Sequence, residues 1–313
     1  MGLYQCKFQW RVHADGYYCA DETLFERRFH ASSVQYTSYY PLQKYTGLFQ
    51  DFARLQLTEE AIVSFANNHG FLGASIPSLD ASEFPDERSE YIRFWIKEIS
   101  EMSMCVELWD AIQADDERKI AEHIERFPTE QKPRTIQQGD TVRKGLFCAN
   151  RIVLDDLGIE SAAGICPAIP NPSNVIQEAL NTLQFSINLH IFGLWQTGLT
   201  WDESEQRMGI CIVPTSLLGA MWLQFAEAVS GRKGYGSCPG CGRYFEVHTE
   251  NARSDKTYCS EACKSKNYRD RKARALELHT KGMSLEEIAE ALSSKPETVA
   301  KWIAYPGRRR KQK

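Results

Sequence analysis

The sequence predicts an α+β fold that is predominantly helical, and three observations support this fold class. Apolar and polar residues alternate near the N-terminus, as they do in half-buried strands. Farther along the chain, apolar residues recur at helical spacing. From residue 231 onwards, two close pairs of cysteines are combined with short helical patterns. The predicted domains are a mixed α/β domain over 1–230, a cysteine-containing module over 231–270, a helix-turn-helix over 271–306 and a basic tail over 307–313.

The first elements of the N-terminal domain follow from these patterns. The segment "LYQCKFQWRVHADGYYCA" alternates between apolar and polar residues and is predicted to hold strands. In "LTEEAIVSFANNHG", a helix is expected to begin after Thr58 as its N-cap and to end at Gly70. The apolar residues between these two ends are spaced to lie on one face of that helix.

Longer helical patterns dominate the rest of this domain. "DERSEYIRFWIKEISEMSMCVELWDAIQ" predicts one long amphipathic helix, and Asp115 is predicted to cap the next. Later segments predict a helix, a short buried strand and a second helix, in "SNVIQEALNTLQFSINLHIFGLW", "MGICIVP" and "SLLGAMWLQFAEAVSG". Six scattered cysteines are expected to be core residues, because free cysteine packs as a small apolar side chain: Cys6, Cys19, Cys105, Cys148, Cys166 and Cys211.

Two cysteine pairs stand close together later in the chain. Cys238 and Cys241 are separated by two residues, Cys259 and Cys263 by three, and a loop joins the pairs. This spacing presents four thiolates to one tetrahedral ion and predicts a structural Zn²⁺ site, a four-cysteine zinc finger. His248 is an alternative metal ligand that could replace one of the four cysteines. Two disulfides are less favoured, because no secretory signal is evident at the N-terminus.

The charge is distributed unevenly along the chain. Residues 231–313 contain 19 Lys and Arg against 10 Asp and Glu, a net charge of +9, whereas residues 1–230 have 18 against 31, a net charge of −13. A basic helix after the last cysteine and a basic tail are the places where phosphates would be contacted. The candidate cations are Lys264, Lys266, Arg269, Arg271, Lys272 and Arg274 in the helix, and Arg308, Arg309 and Arg310 in the tail.

Between the two basic segments, the sequence predicts a helix-turn-helix. Gly282 is expected to end the basic helix, Ser284 and Glu287 form a capping box for a second helix, and Pro296 begins a third. The last helix of such a unit can enter a major groove. Its outward positions, which are the candidate base-reading or phosphate-binding residues, are Lys295, Glu297, Thr298 and Lys301.

Two resemblances add to these patterns. Residues 238–274, including "CGRYFEVHTENARSDKTYCSEACKSKNYRDRKAR", resemble the CGNR-type zinc finger that ends stress-induced bacterial transcription regulators. That resemblance implies an N-terminal α/β domain and zinc-stabilised nucleic-acid binding. Residues 275–304 resemble the helix-turn-helix of resolvase and invertase DNA-binding domains, a family that usually has glycine and then an apolar residue where this chain has Ser293 and Ser294. A looser turn is therefore expected here.

Together these features predict a zinc-dependent DNA-binding protein, a bacterial transcriptional regulator of duplex DNA whose N-terminal domain binds an effector or partner. No catalytic motif surrounds the isolated histidines, so an enzyme is not expected. The alternatives are an unrecognised N-terminal enzyme or defence effector brought to nucleic acid by the finger, and an RNA-binding or protein-docking zinc module. A homodimer is left open, and a cytoplasmic location without membrane insertion is expected.

Overall fold

The computed structural model describes most of the chain. The described residues are 4–5, 8–19, 28–73, 89–127, 134–138, 141–147, 165–166, 173–191, 193–202, 206–231, 233–248 and 256–304. The chain divides into two compact units, Met1–Lys233 and Gly234–Lys313. The described residues combine helices with small sheets, which agrees with the predicted mixture of α and β structure.

The strands of the first unit form several small sheets. β1, β11 and β10 make a three-stranded sheet in the order β1-β11-β10, in which β1 is parallel and β10 antiparallel to β11. The other sheets have the orders β2-β5, β3-β4-β6 and β7-β8-β9. The strands are β1 Tyr4–Gln5, β2 Trp10–His13, β3 Tyr17–Cys19, β4 Arg28–Ala31, β5 Tyr36–Tyr39, β6 Ser89–Tyr91, β7 Arg134–Gln138, β8 Thr141–Phe147, β9 Ile165–Cys166, β10 Trp195–Asp202 and β11 Arg207–Pro214.

Seven helices of the first unit are described. They are α1 Pro41–Lys44, α2 Leu48–Ala53, α3 Glu59–His69, α4 Ile92–Gln113, α5 Glu117–Arg126, α6 Val175–Ile191 and α7 Leu217–Ser230. The predicted limits of α3 are confirmed: the Thr58 side chain accepts a hydrogen bond from the backbone N–H of Ala61, and Gly70 has a φ of 92°. A positive φ is easily adopted by glycine, which explains why the helix ends there.

Two helix starts differ from the sequence prediction. α4 begins at Ile92, because Ser89–Tyr91 pairs with β4 as a strand. The cap of α5 is Asp116, whose carboxylate accepts from the N–H of Lys119, so the prediction of Asp115 was wrong by one residue. Asp115 has a φ of 54° and reverses the chain after α4, a conformation that an N-cap residue does not adopt.

Aromatic side chains fill the core of the first unit. Trp95 is fully buried and lies edge-on to Phe29 and Phe52, with ring centroids 5.3 Å and 6.0 Å away. Cys105 and Cys211 are buried as predicted, whereas Cys19 is only half-buried. The predictions for Cys6, Cys148 and the side chain of Cys166 fall outside the described part of the chain.

Glu90 joins three segments next to this core. Its carboxylate accepts hydrogen bonds from the backbone N–H groups of Leu72 and Gly73, at 3.0 Å and 2.7 Å, and from the indole N–H of Trp95 at 2.7 Å. Burial raises the pKa of Glu90 to about 7, although the three donated hydrogen bonds act in the opposite direction.

The β10–β11 hairpin differs most from the sequence prediction. The pattern in "SNVIQEALNTLQFSINLHIFGLW" predicted helix up to Trp195, yet α6 ends at Ile191 and Trp195 begins β10. The strand predicted in "MGICIVP" is confirmed as β11, but it is only partly buried, since Met208 and Ile210 are exposed. Full burial was a wrong prediction because an apolar run on both faces of a strand does not reveal whether something covers each face.

The second unit contains a hairpin and three helices. Its elements are β12 Gly234–Ser237, β13 Tyr244–His248, α8 Glu261–Thr280, α9 Leu285–Ala291 and α10 Pro296–Ala304. α8 is one continuous helix across residue 270, where the sequence had suggested a domain boundary. No helix among the described residues is long and apolar enough to cross a membrane.

Candidate metal centre and nucleic-acid interface

The first cysteine pair lies on a tight turn between β12 and β13. The backbone N–H of Gly242 donates to the carbonyl of Cys238 at 2.7 Å, and Cys238 N–H donates to the carbonyl of Arg243 at 2.9 Å. Gly242 has a φ of 74°. At Gly240, a Cβ would stand 2.7 Å from the carbonyl oxygen of Cys263, so the close approach of the two cysteine segments requires glycine there.

The second pair lies at the start of α8. Ser260 is the N-cap, and its hydroxyl accepts a hydrogen bond from the backbone N–H of Cys263 at 3.2 Å. Cys259 therefore precedes the helix, and Cys263 lies in its first turn. The amide of Asn267, one turn farther on, donates to the carbonyl of Pro239 at 3.1 Å and accepts from the hydroxyl of Tyr258 at 3.1 Å. These bonds fasten the first cysteine pair to α8.

The four sulfur atoms form one cluster. Cys238, Cys241, Cys259 and Cys263 have their Sγ atoms all within 4.8 Å of one another. Two of the separations are 3.6 Å, between Cys241 and Cys259, and 3.4 Å, between Cys259 and Cys263. In a tetrahedral site with metal–sulfur bonds of about 2.3 Å, neighbouring sulfurs stand about 3.8 Å apart. The cluster can hold a metal ion, as the spacing predicted.

The pKa values of the thiols in the cluster depend on how close the four sulfur atoms lie to one another. Burial would raise the pKa of Cys238, but hydrogen bonds from the backbone around Cys259 and Gly240 lower it to about 7. The pKa of Cys259 is instead raised to about 12, by burial and by the neighbouring thiols. Four thiols this close cannot all ionise without a cation among them, because like charges disfavour one another. A bound divalent cation removes that penalty.

A small core joins α8, α9 and α10. Ala275 and Leu278 of α8 pack with two residues from each of the other helices, and Met283, Leu285, Leu292 and Ile303 lie around them. The other four core residues are Ile288, Ala289, Val299 and Trp302. The capping box predicted for α9 is confirmed, since Ser284 and Glu287 bond each other's backbone N–H groups. Gly282, with a φ of 88°, follows α8 as predicted.

The turn between α9 and α10 is held by Arg271. Its guanidinium donates to the carbonyl oxygens of Leu292 and Ser293, at 2.8 Å and 3.1 Å, and to the hydroxyl of Ser294. It also lies 5.6 Å from the ring centroid of Trp302. A looser turn was predicted from the two serines, and in the structure Arg271 ties this turn to α8. Arg271 is used inside the unit, although the sequence suggested it as a phosphate contact.

The other candidate cations fall into two groups. Lys264 and Arg274 form ion pairs with Glu261 and Glu277 on their own helix, at 3.6 Å and 2.5 Å. Lys272 is half-buried and has a partner. Four exposed cations form no ion pair within the described residues, namely Lys266, Arg269, Lys295 and Lys301. These four are the most available for an anionic partner.

The predicted outward positions of α10 are largely confirmed. Lys295, Glu297 and Lys301 are exposed, whereas Thr298 is half-buried. The tail residues Arg308, Arg309 and Arg310 lie outside the described residues. His248 ends β13, and its side chain also lies outside the described part of the chain.

Sequence reasoning missed a second polar cluster, in the first unit. Glu98 and Glu101 of α4 meet His190 of α6, with ligand atoms within 4.8 Å of one another. Nε2 of His190 is 2.7 Å from Glu101, and its Nδ1 is 2.7 Å from the carbonyl oxygen of Ser186. Lys97 binds both carboxylates, at 3.1 Å and 2.8 Å. The cluster is thus held together by Lys97 and by the bond between His190 and Glu101, and only the three-residue spacing of the glutamates hinted at it.

Comparison of the chain with protein-family models, with curated proteins and with solved structures gave no match.

Proposed function

We propose that the chain is a zinc-dependent DNA-binding protein that regulates transcription. In this proposal, Zn²⁺ is held by Cys238, Cys241, Cys259 and Cys263. A set of four thiolates at tetrahedral spacing suits zinc, which binds such sets in closed structural sites. The bound ion supplies folding free energy to the β12–β13 hairpin, in which Phe245 is the one large apolar side chain that is buried among the described residues.

One observation carries the DNA-binding part of the proposal. α10 is seated on α8 and α9 by Val299 and Trp302, and this leaves Lys295, Glu297 and Lys301 facing outward. A helix presented in this way can lie in a major groove with its polar residues against base edges. Glu297 suits a cytosine amino group, and the lysines suit guanine or phosphate.

A second basic surface supports the same proposal. Lys266 and Arg269 are three residues apart on α8 and therefore lie on one face of that helix. Neither forms an ion pair within the described residues, so both can neutralise phosphates. Each phosphate contact releases condensed counterions, which makes the affinity fall as salt rises. In this proposal, α8 supplies affinity and α10 supplies sequence preference.

The test is binding of the zinc-loaded full-length protein to duplex DNA, single-stranded DNA and RNA, measured by fluorescence anisotropy across a salt series. We expect tightest binding to duplex DNA, and a slope of log K against log salt of about −0.9 for each phosphate contacted. Lys301→Ala should weaken duplex binding by about 10-fold or more if the lysine contacts a base, while stability is unchanged. The matched control is Lys281→Ala, because Lys281 is exposed but paired with Glu277 at 2.6 Å.

Two outcomes would contradict the proposal. Equal affinity for all duplex sequences and for RNA would favour a general nucleic-acid tether over a regulator. Absence of binding to any duplex at low salt would remove the DNA-binding function altogether, whatever metal the cysteines hold.

A further inference from the structure

The β10–β11 hairpin carries an exposed apolar patch. The exposed fractions are 70% for Leu199, 53% for Trp201, 57% for Met208 and 53% for Ile210. Single exposed apolar residues are ordinary, but a contiguous group of large ones marks an interaction site. We call these four residues the hairpin patch.

The strand register places the four residues together on one face. Leu199 is directly opposite Ile210, and Trp201 is directly opposite Met208. Residues two apart on a strand point to the same face, so the two pairs are adjacent rows of one surface. Their combined exposed area is on the order of 400–500 Å², which is the size of the largest apolar patch on a typical protein, and such a patch is often functional.

The hairpin patch continues a face that is covered elsewhere. Farther along the same two strands, Trp195 and Ile212 pack against a cluster of Phe8, Leu42, Ala220 and Leu223. Ile212 is two residues from Ile210, so the same face of β11 is covered at one end and exposed at the other. The apolar pattern of a core face thus extends beyond the residues that cover it.

Charge favours a second copy of this chain as the occupant. Asp202 and Arg207 are the only charged residues in β10 and β11, and they are register partners at the end of the ladder. The two strands are therefore uncharged across the hairpin patch, although residues 1–230 carry a net charge of −13 and Glu203 and Glu205 stand between the strands in the sequence. Two neutral apolar faces can meet without the repulsion that opposes contact between acidic surfaces.

We propose that the protein is a two-fold symmetric homodimer in which the hairpin patches of two copies pack face to face. Symmetric dimers use the same surface on both subunits, and a patch with an aromatic residue, Met and aliphatic residues suits the core of such an interface. Two patches bury on the order of 900 Å² together. With the flanking residues this comes close to roughly 1,000 Å², the lower limit for a specific interface, which fits a dimer that dissociates on dilution.

The test is the mass of the zinc-loaded full-length protein in solution, without DNA, by sedimentation velocity from about 1 to about 100 μM, where interfaces of modest size dissociate. The wild type should be a dimer that dissociates on dilution. Leu199→Asp and Trp201→Glu should each raise the dimer dissociation constant about 30-fold or more, the effect expected for residues at the centre of an interface. The matched control is Val34→Asp, because Val34 is 72% exposed and lies outside the hairpin.

A wild type that stays monomeric at the highest concentration would overturn the proposal. Variants that remain dimeric would overturn it too, since another surface would then hold the copies together. If either variant loses its circular-dichroism signal, hydrogen exchange of the wild type decides. Amides of β10 and β11 must become more protected as concentration rises, and unchanged exchange there contradicts the interface. Because no nucleic acid is present, this result is independent of DNA binding.

Discussion

At the scale of single residues, Ser293 shows what a resemblance can and cannot predict. It occupies a position where resolvase-type helix-turn-helix units usually have glycine, and its φ is 45°. A left-handed conformation costs a residue with a Cβ about 1 kcal/mol or more relative to glycine. The three hydrogen bonds from Arg271 hold the turn closed in spite of this cost, and no sequence pattern indicates a contact between residues so far apart.

Ser293→Gly should therefore stabilise the second unit by about 1 kcal/mol. The gain arises because glycine adopts this φ without strain, and the bond from Arg271 to the backbone carbonyl of residue 293 is kept. Thermal unfolding of zinc-loaded protein, followed by hydrogen exchange of α9 and α10, measures it. Ser265→Gly is the control and should destabilise, because residue 265 is an exposed interior position of α8. An unchanged or lower stability for Ser293→Gly would contradict the account of the turn.

Glu90 provides a prediction on pH. An acid whose pKa is higher in the folded than in the unfolded chain binds its proton more tightly when folded. With a folded pKa of about 7, Glu90 makes the free energy of unfolding fall as pH rises from its ordinary pKa of about 4.3 towards 7. Relative to Glu90→Gln, the wild type should lose about 1–3 kcal/mol of unfolding free energy over that pH range.

Denaturant unfolding of both proteins at several pH values between about 4 and about 8 measures this difference in the free energy of unfolding. That pH range includes both the ordinary pKa of a glutamate and the raised pKa of Glu90. Glu90→Gln should itself be less stable at low pH, because an amide nitrogen cannot accept the backbone hydrogen bonds that the carboxyl group accepts. Glu60→Gln, an exposed change on α3, should leave the pH profile as it is. A stability difference between wild type and Glu90→Gln that does not change with pH would contradict the raised pKa.

At the scale of elements, local signals were the most informative. The caps of α3 and α9 and the apolar stripes of α3, α9 and α10 were predicted because they depend on residues within one or two turns. The cysteine cluster was predicted for a similar reason, since each pair is fixed by its own spacing. β10 was missed because "FGLW" extends an apolar helical pattern, and only the positive φ of 75° at Gly193 shows that the chain turns there.

The start of α8 supplies a prediction about the metal site. Cys259→Ser should remove one thiolate from a closed four-sulfur site and lower zinc affinity by a large factor, because serine is a poor zinc ligand. Zinc content by elemental analysis and competition with a chelator measure the change. Cys105→Ser is the matched control, since Cys105 is a buried cysteine that belongs to the first unit and not to the cluster. One full equivalent of zinc held with unchanged affinity by Cys259→Ser would show that this cysteine is not a ligand.

At the scale of the whole molecule, the sequence predicted the division of charge but little of the first unit's architecture. The opposite net charges of residues 1–230 and 231–313 follow from composition alone. The ion network of Glu98, Glu101 and His190 joins residues about ninety positions apart, so no local pattern reveals it. The exposure of the hairpin patch could not be predicted from a local pattern either, since it depends on which other parts of the folded chain pack against the strands.

The continuity of α8 has a consequence for the size of any target. Twenty residues at about 1.5 Å each make a rod of about 30 Å, close to one turn of B-form DNA. The rod has no internal joint between the sulfur cluster and the three-helix core. If the proposed DNA binding uses both ends of α8, the duplex must offer backbone positions at nearly that separation, which corresponds to about nine base pairs measured along its axis.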